Sequence, residues 1–418
     1  MSKLAGAPPP HYRWNFFAFL IDYASFGLAF TFIDVSTVMP ALIGQLTDSA
    51  PIIGLVSTVF TGGWLLPQLA AARHINDKPL KKPYLLAGLG GRVFLGVIAA
   101  ALWTALPRYP ASMLILFFTC LGLFATADGF ISVAWFDILA RAIPLKQRGR
   151  LMGMAQFIIG VAGIGVGALV GLILTRRPFP SNYALLFTLA SVTLVPSVIA
   201  LILLREPPPD NVSQETSDQA KENWWKLLVN DRAFRNLMIC RISAGMMGLA
   251  TSFYVMHAVD VLLMPQSIIG DFVVAQTVTR IIASIVLGWI SERWGPRYVI
   301  RIGSAAAAAG PLFALVVHLA GSDWLIWAYP FVYVALAIVN SAWMLGFFNY
   351  LLEIAPDGMR PAYVGLGNTL MGALMLAPMA GGWLLEATSY TALFGITTVI
   401  VAIGFAFTLK LKPAQSES

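Results

Sequence analysis

Charged residues are scarce in this sequence: Asp, Glu, Lys and Arg make up 11% of its 418 residues, whereas hydrophobic residues make up 58%. A soluble globular chain usually carries about 25% charged residues. So little charge does not suffice to cover the surface of a water-soluble protein of this length. The scarcity therefore excludes an ordinary soluble fold and predicts a membrane protein.

Cysteine and histidine are also scarce, with two and four residues respectively. Cys120 and Cys240 both fall in apolar runs, where a buried packing thiol is expected rather than a disulfide or a metal ligand. The chain also lacks a Walker loop, a metal-ligand cluster and a nucleophile–base spacing. We therefore expect no enzyme activity, no catalytic residues, no metal and no cofactor.

Long apolar runs fill most of the chain. A helix needs about 20 apolar residues to cross a bilayer, and twelve segments meet this requirement. They lie near residues 14–43, 50–72, 84–106, 110–141, 150–175, 182–205, 235–263, 267–290, 298–320, 324–351, 362–386 and 390–412. The first run is longer than the apolar core of a signal peptide, which is about 7–15 residues, so we expect it to remain as the first helix.

The basic residues lie almost entirely on one side of this arrangement. Of the 27 Lys and Arg, 21 fall in the termini and alternate loops, and three, Arg108, Arg176 and Arg177, fall on the other side. Loops rich in Lys and Arg stay in the cytoplasm. The pattern predicts a multi-pass protein of the plasma membrane with both termini cytoplasmic, and it accounts for the net charge of +7 without a nucleic-acid partner.

One long polar stretch, residues 206–234, divides the chain. It opens with Glu206-Pro-Pro-Pro-Asp210 and continues with polar residues that do not form a packed core. We therefore predict an N-terminal six-helix bundle over 1–205, a cytoplasmic linker over 206–234 and a C-terminal six-helix bundle over 235–418.

The two halves repeat each other at a constant offset of 212 residues. The matched pairs are Phe136 with Phe348, Pro144 with Pro356, Arg148 with Arg360 and Gly153 with Gly365. In each copy a proline ends one helix and a glycine allows close packing of the next. An internal repeat of this kind is typical of a transporter built from two similar halves.

A charged turn between the eighth and ninth spans, Gly288 to Arg297, reads G-W-I-S-E-R-W-G-P-R. Its spacing is Gly, three residues, acid-Arg, one residue, Gly, one residue, Arg. This spacing resembles the loop signature of the major facilitator superfamily of transporters. The resemblance implies an all-α polytopic fold of twelve transmembrane helices in two pseudo-symmetric six-helix bundles that rock about a central cavity.

In that family the signature also occurs between the second and third spans, but here Ala72 precedes Arg73 where an acid is expected. The fourth span keeps Asp137, whereas its counterpart in the tenth span is Asn349. The resemblance implies a gating role for these loops, with Glu292 locking the halves together. The implied gating residues are Arg73, Asp137, Arg148, Gly288, Glu292, Arg293, Gly295, Arg297 and Arg360. The alternative is that these charges only fix topology and solvate the turns.

Six charged residues fall in the interior of the predicted spans, away from the span ends: Asp22, Asp34, Arg92, Asp128, Arg241 and Arg280. A charge near the middle of a bilayer costs about 2.5–3.5 kcal/mol on insertion scales, so each one needs a function or a partner. Asp34 and Asp128 are the candidates for a carboxylate that binds and releases a proton, because burial favours the neutral carboxyl group. Asp22, nearer the cytoplasmic end, is a weaker candidate. The alternative is a structural ion pair, for instance with Arg92 or Arg280.

The resemblance assigns the first, fourth, seventh and tenth helices to the wall of the substrate cavity. The candidate substrate- or proton-binding residues on these helices are Asp22, Asp34, Asp128, Arg241, Tyr254, Asn340 and Trp343. Their mixture of carboxylate, aromatic and amide groups suits an organic solute that is both stacked and hydrogen-bonded.

We therefore predict a secondary active transporter that moves a small organic solute by alternating access, coupled to protons and acting as a monomer in the lipid bilayer. Export of amphipathic or drug-like compounds is favoured over uptake of a sugar or metabolite, because an aromatic and acidic cavity suits cationic amphiphiles. The loop between the second and third spans lacks the acid of the family signature, and this leaves a further alternative. This is a protein with the transporter fold but without transport, such as an assembly factor, a receptor or a lipid-moving protein.

Overall fold

The computed structural model describes residues 9–75, 78–208, 231–356 and 359–411. Every regular element within these ranges is helical. Within the described residues, twelve helices are long and apolar enough to cross a membrane, and we number them span 1 to span 12. They are Tyr12–Phe32, Ala50–Gln68, Lys82–Leu102, Pro110–Ala142, Gln147–Arg176, Ser181–Leu203, Arg232–Val261, Ile268–Trp294, Pro296–Ala320, Asp323–Ile354, Tyr363–Ala387 and Tyr390–Thr408. The predicted all-α fold with twelve transmembrane helices is confirmed.

The chain forms two compact units. Unit 1 consists of Met1–Val38 and Val59–Val212, and unit 2 consists of Met39–Thr58 and Ser213–Ser418. Residues 39–58 thus group with unit 2, although they precede the polar stretch. Most of that stretch, 209–230, lies outside the described residues, so the boundaries drawn through it stay a prediction.

Span 1 is shorter than predicted, because its helix ends at Phe32 and a separate short helix, Val38–Gly44, follows. The interruption is organised by Asp34. Its Oδ1 accepts hydrogen bonds from the Ser36 backbone N–H at 2.9 Å, the Ser36 hydroxyl at 2.5 Å and the Thr37 hydroxyl at 3.1 Å. Local bonds of this kind offer the backbone an alternative to the helical ladder, which explains the break in an otherwise apolar run.

Four spans are not continuous α-helices. Span 3 contains the 3₁₀ turn Gly90–Arg92, and span 11 contains the 3₁₀ turn Ala373–Leu376. Span 7 ends in a π-helical segment, His257–Val261, and span 10 contains a longer one, Trp343–Phe348. Insertions of π-helix are frequent at functional sites, because they redirect the side chains of one turn.

Glycines allow the spans of unit 1 to approach closely. A Cβ atom at Gly129 of span 4 would overlap the carbonyl oxygen of Trp64 in span 2. Span 3 meets span 4 in the same way, since a Cβ atom at Gly91 would overlap the Ala127 side chain. Small residues bring helix backbones together in a membrane, where packing rather than the hydrophobic effect drives association. These contacts hold span 4 close to both span 2 and span 3.

Glycines also allow the spans of unit 2 to pack closely. A Cβ atom at Gly381 of span 11 would overlap the backbone of Leu249 in span 7, and one at Gly404 of span 12 would overlap Ser243. Aromatic rings fill the interior beside these contacts. Phe272 stacks on Tyr333 with 4.3 Å between ring centroids, and both side chains are fully buried. Spans 7, 8, 10, 11 and 12 therefore share a tightly packed core.

Candidate functional site

A cavity of about 290 Å³ lies inside unit 1. Spans 1, 2, 3 and 4 supply its walls. The lining residues are Asp22, Tyr23, Phe26, Phe60, Trp64, Arg92, Asp128, Ile131, Ser132, Trp135 and Phe136. Two carboxylates and one guanidinium group are thus set among six aromatic rings, which is the composition of a site that orients an organic molecule through a few polar contacts.

Asp22 is the centre of a buried polar network in this cavity. Its Oδ1 lies 3.2 Å from Nη2 of Arg92 and accepts the hydroxyl proton of Ser197, while its Oδ2 accepts the Trp135 indole N–H at 2.7 Å. Arg92 also donates from Nη1 to Ser197. The network joins spans 1, 3, 4 and 6. The Asp22 carboxylate is therefore neutralised by Arg92 and fully hydrogen-bonded by residues of its own unit.

Asp128 shares the cavity with this network but not its partners. Its side chain is partly buried, and Trp64 interacts with the carboxyl group. Within the described part of the chain Asp128 forms no ion pair, because the one nearby guanidinium group, on Arg92, is bonded to Asp22. Asp128 is thus the cavity carboxylate that remains available to a proton or a solute.

Asp34 lies at the turn between span 1 and the short helix Val38–Gly44, outside the set of residues that line the cavity. Its three local hydrogen bonds to Ser36 and Thr37 give it the role of a turn-forming residue. The structure therefore brings Asp22 and Asp128 together and leaves Asp34 apart from them.

The predicted binding residues of unit 2 also lie in different surroundings. Arg241 is buried and stacks over the Trp343 ring, with 4.9 Å between its guanidinium carbon and the ring centroid. Tyr254 is fully buried and stacks on Phe394 instead, with 5.6 Å between ring centroids. Asn340 is exposed, one helical turn before Trp343. Arg241 and Trp343 thus form a pair, whereas Tyr254 belongs to the core.

The predicted gating residues of the first half make contacts at the end of span 4. Asp137 forms an ion pair with Arg141 at 2.6 Å. Arg148 donates from Nη2 to the Ala140 carbonyl at 2.6 Å and from Nε to the Ile143 carbonyl at 3.0 Å. Arg148 therefore binds the free carbonyl groups at the C-terminus of span 4, where a positive charge also interacts favourably with the helix dipole.

Glu206 is a charged contact that sequence reasoning missed, since it was assigned to the linker. Its carboxylate accepts the backbone N–H groups of Lys81 and Lys82 at 2.8 Å each and pairs with Arg141 at 2.6 Å. An acid at the N-terminus of a helix, here span 3, is favoured by the free N–H groups and the helix dipole. Glu206 thus ties the chain after span 6 to spans 3 and 4.

The charged turn of the second half lies between spans 8 and 9. Gly295 has a φ of +91°, a conformation that L-residues rarely adopt, which accounts for glycine at this position of the signature. Arg293 lies over the Trp289 ring at 5.6 Å, and Arg297 lies over the Tyr298 ring at 4.8 Å.

The remaining gating candidates show fewer contacts. Glu292 is exposed and forms no ion pair with any described residue, and a Cβ atom at Gly288 would meet no atom within 4 Å. Arg73 and Arg360 lie on helices, but their side chains are outside the described part of the structure. The gating role of the whole set stays a prediction.

A histidine network in unit 2 was also not foreseen. His257 is fully buried, with Nδ1 2.9 Å from the Tyr329 hydroxyl and Nε2 3.0 Å from Nδ1 of His318. The Tyr329 hydroxyl donates its one proton to the Tyr254 carbonyl at 3.2 Å, so it accepts from Nδ1–H of His257. It follows that Nε2 of neutral His257 accepts a hydrogen bond from Nδ1–H of His318. The network links spans 7, 9 and 10.

Comparison with known proteins agrees with this architecture. The sequence model of the Major Facilitator Superfamily matches residues 16–374 and, separately, 262–418. An uncharacterized protein of Mycobacterium tuberculosis is 21% identical over 355 residues, which are 84% of this chain and 68% of the relative. A protein of the same description from Mycobacterium bovis matches to the same extent.

Solved structures of transporters share the fold over nearly the full length. A bacterial homologue of the human lysosomal transporter Spinster, in an inward-facing and unoccupied conformation, has a TM-score of 0.66 at 15% identity and covers 99% of this chain and 100% of its own. The xylose transporter of E. coli has a TM-score of 0.66 at 14% identity and covers 97% and 99%. These likenesses show the fold, and the family match across the chain establishes that this multi-pass membrane protein belongs to the major facilitator superfamily.

Proposed function

We propose that the protein is a secondary active transporter that moves a small organic solute by alternating access and that the cavity of unit 1 contacts this solute. The observation that carries the proposal is the unequal environment of the two cavity acids. Asp22 is neutralised by Arg92, whereas Asp128 faces the cavity without an ion-pair partner among the described residues. A charge retained inside a membrane protein without such a partner is a functional group by default.

Proton coupling is assigned to Asp128. A carboxyl group in a low-dielectric cavity passes between a neutral and a charged form as water reaches or leaves it. Asp22 is unsuited to this role because protonation would break its bond to Arg92. Asp34 is unsuited because its carboxylate already accepts three local hydrogen bonds.

Export of amphipathic or drug-like compounds is the favoured direction and substrate class. Phe60, Trp64 and Phe136 give the cavity aromatic faces that attract cationic groups, and Asp128 supplies a negative charge beside them. We further place the protein in the plasma membrane as a monomer with both termini in the cytoplasm, on the asymmetry of its basic loops.

The test of transport is solute counterflow in proteoliposomes that contain the purified protein. The panel pairs cationic amphiphiles with sugars and other small metabolites, each as a labelled tracer against an excess of the same unlabelled compound. Counterflow of at least one compound, strongest among the cationic amphiphiles, is the expected result. If tight binding occurs without counterflow of any compound, the protein is a receptor or an assembly factor with the transporter fold, and the proposal is wrong.

A further inference from the structure

The histidine network of unit 2 has one ring nitrogen that is open to a proton. His257 donates from Nδ1 to Tyr329 and accepts at Nε2 from His318, so both of its ring nitrogens are in use. In neutral His318 the Nδ1–H is in use as well, which leaves Nε2 of His318 without a hydrogen-bond partner among the described residues. His257 is fully buried and His318 is half-buried. A proton therefore reaches the pair from the side of His318.

An added proton strengthens this network instead of breaking it. With Nε2 protonated, His318 still donates from Nδ1 to Nε2 of His257, and the hydrogen bond becomes charge-assisted, roughly twice as strong as a neutral one. A second proton has no place, because Nε2–H of His257 would then point at Nδ1–H of His318. The geometry thus allows one added proton, and that proton belongs on His318.

His318 also lies where a positive charge is favoured. It is in the last turn of span 9, which ends at Ala320. The free carbonyl groups at the C-terminus of a helix interact favourably with a cation, and histidine is one of the residues that exploit this position. The ring of Tyr390 adds a second favourable contact, with its centroid 6.2 Å from that of His318 and 4.9 Å from that of His257.

The charged side chains that act on this cluster, within the described residues, are acids. Asp260 of span 7 interacts electrostatically with Tyr390 of span 12, and Asp48 interacts with Asp260. Neither acid takes part in an ion pair with a described residue. The other titratable groups packed around the pair are the phenols of Tyr254, Tyr329, Tyr333 and Tyr390. The surroundings of the pair therefore supply negative charge to balance one proton.

Two histidine nitrogens that face each other are also a beginning of a metal site, but here the ligand set is too small. Zinc, which binds histidine well, takes three or four protein ligands. Among the described residues no group of three His, Cys, Asp or Glu side chains could hold a metal ion. The pair of His257 and His318 thus fits a proton better than it fits a metal.

We propose that His257 and His318 form a binding site for a single proton between the C-terminal ends of spans 7 and 9. When the proton is bound, the pair holds the last turn of span 9 to span 7 more tightly than the neutral pair does. With both termini in the cytoplasm, as proposed above, these helix ends face the outside, so the site responds to external pH. It is separate from Asp128 and does not depend on transport.

The first test is solid-state NMR of the full-length protein in lipid bilayers, with nitrogen-15 in the histidine rings. The chain has four histidines, so a protein with His11→Gln and His74→Gln retains only the pair. Spectra are compared at about pH 8 and about pH 5, the range in which histidine changes its charge. We expect one ring to gain a second N–H in acid, while the other stays neutral and keeps a bare Nε2. If both rings become charged, or if neither does, the site is wrong.

Thermal unfolding in detergent provides a second measurement, on the strength of the bond. Because the proton strengthens the folded network, the stability advantage of the parent over His318→Gln should be larger at about pH 5 than at about pH 8, by about 2–4 °C. The extra advantage disappears as the pH rises and His318 releases its proton.

His74→Gln is the matched control, because it removes a histidine that is exposed and lies in unit 1. Its difference from the parent should be the same at both pH values. If the difference between His318→Gln and the parent is also the same at both, the proton does not tighten the contact and the proposal is wrong. Should His318→Gln fail to fold, the NMR spectra decide the question without it. Failure of the site would leave counterflow and the role of Asp128 untouched.

Discussion

Asp22 and Arg92 form an ion pair between spans 1 and 3 at 3.2 Å, with side chains that are 5% and 7% exposed. The pair lies in the wall of a cavity whose other acid, Asp128, has no such partner among the described residues. A buried pair of this kind holds its two helices in register. It also fixes a positive charge close to Asp128, so one cavity contains both a paired carboxylate and the carboxylate to which we assign proton coupling.

The first prediction concerns the stability of unit 1. Asp22→Asn removes the negative charge opposite Arg92 and leaves a buried guanidinium group without its counter-ion. Breaking a buried pair on one side typically costs about 3–5 kcal/mol, so the variant should unfold at a clearly lower temperature than the parent in detergent. The double variant Asp22→Leu with Arg92→Leu removes both charges and should recover most of the loss. Unfolding of Asp22→Asn at the parent temperature would contradict a structural role.

The second prediction separates Asp34 from the cavity acids. Asp34→Ala removes the acceptor of three hydrogen bonds at the turn after span 1 and should lower the free energy of unfolding by about 1 kcal/mol, as loss of a helix cap does. Asp34→Asn keeps an acceptor oxygen and should be close to the parent. A larger loss in the asparagine variant than in the alanine variant would show that the charge, rather than the turn, is what matters.

The third prediction tests the close contact between spans 2 and 4. Gly129→Ala places a methyl group against the carbonyl oxygen of Trp64, so one helix must move. Overpacking of this kind costs about 1–3 kcal/mol, which denaturant or thermal unfolding would register. Gly165→Ala in span 5 is the matched control, because a Cβ atom there meets nothing within 4 Å. Equal stability of the two variants would mean that the contact at Gly129 is looser than described.

The fourth prediction concerns the histidine network of unit 2. Tyr329→Phe deletes the hydroxyl that joins His257 to the Tyr254 carbonyl and leaves Nδ1 of buried His257 without this partner, whereas the Tyr254 carbonyl still accepts the His257 backbone N–H. The expected loss in unfolding free energy is about 1–3 kcal/mol. Tyr254→Phe serves as the control, because the Tyr254 hydroxyl is buried and has no hydrogen-bond partner among the described residues. The network is not structural if the two variants are equally stable.

The spans and their repeat could be predicted because they depend on local features. Twenty apolar residues in a row define a membrane helix whatever surrounds it, and a constant offset of 212 is visible in the letters alone. The break at Asp34 was missed, although Asp34-Val-Ser-Thr ahead of Pro40 is a helix-start signal. The length of the apolar run favoured one continuous helix over residues 14–43. In the folded chain the hydrogen bonds of Asp34 to Ser36 and Thr37 interrupt that helix.

The partners of the intramembrane charges could not be predicted, because they are set by packing between distant segments. Arg92 bonds to Asp22, which is 70 residues away in the sequence, and to Ser197, which is 105 residues away. His257 bonds to His318, which is 61 residues away. The same holds for Glu206, whose place in a polar stretch gave no sign of its contacts with Lys81, Lys82 and Arg141. The sequence identified the intramembrane charges as a group, but which residue pairs with which depends on the fold.

Coupling of solute movement to protons through Asp128, as we propose, can be tested by a transport assay on three purified proteins. Purified parent, Asp128→Asn and Asp34→Asn proteins are placed in proteoliposomes with a compound that shows counterflow. Each protein is then assayed for counterflow without a pH gradient and for net transport driven by one. Asparagine keeps the size of the side chain but does not titrate.

We expect Asp128→Asn to retain counterflow and to lose net transport driven by the pH gradient, because the aromatic rings of the cavity still bind the solute but no proton is carried with or against it. Asp34→Asn should behave like the parent in both assays. If net transport by Asp128→Asn follows the pH gradient as that of the parent does, the coupling proton is bound elsewhere and Asp128 is not the coupling group.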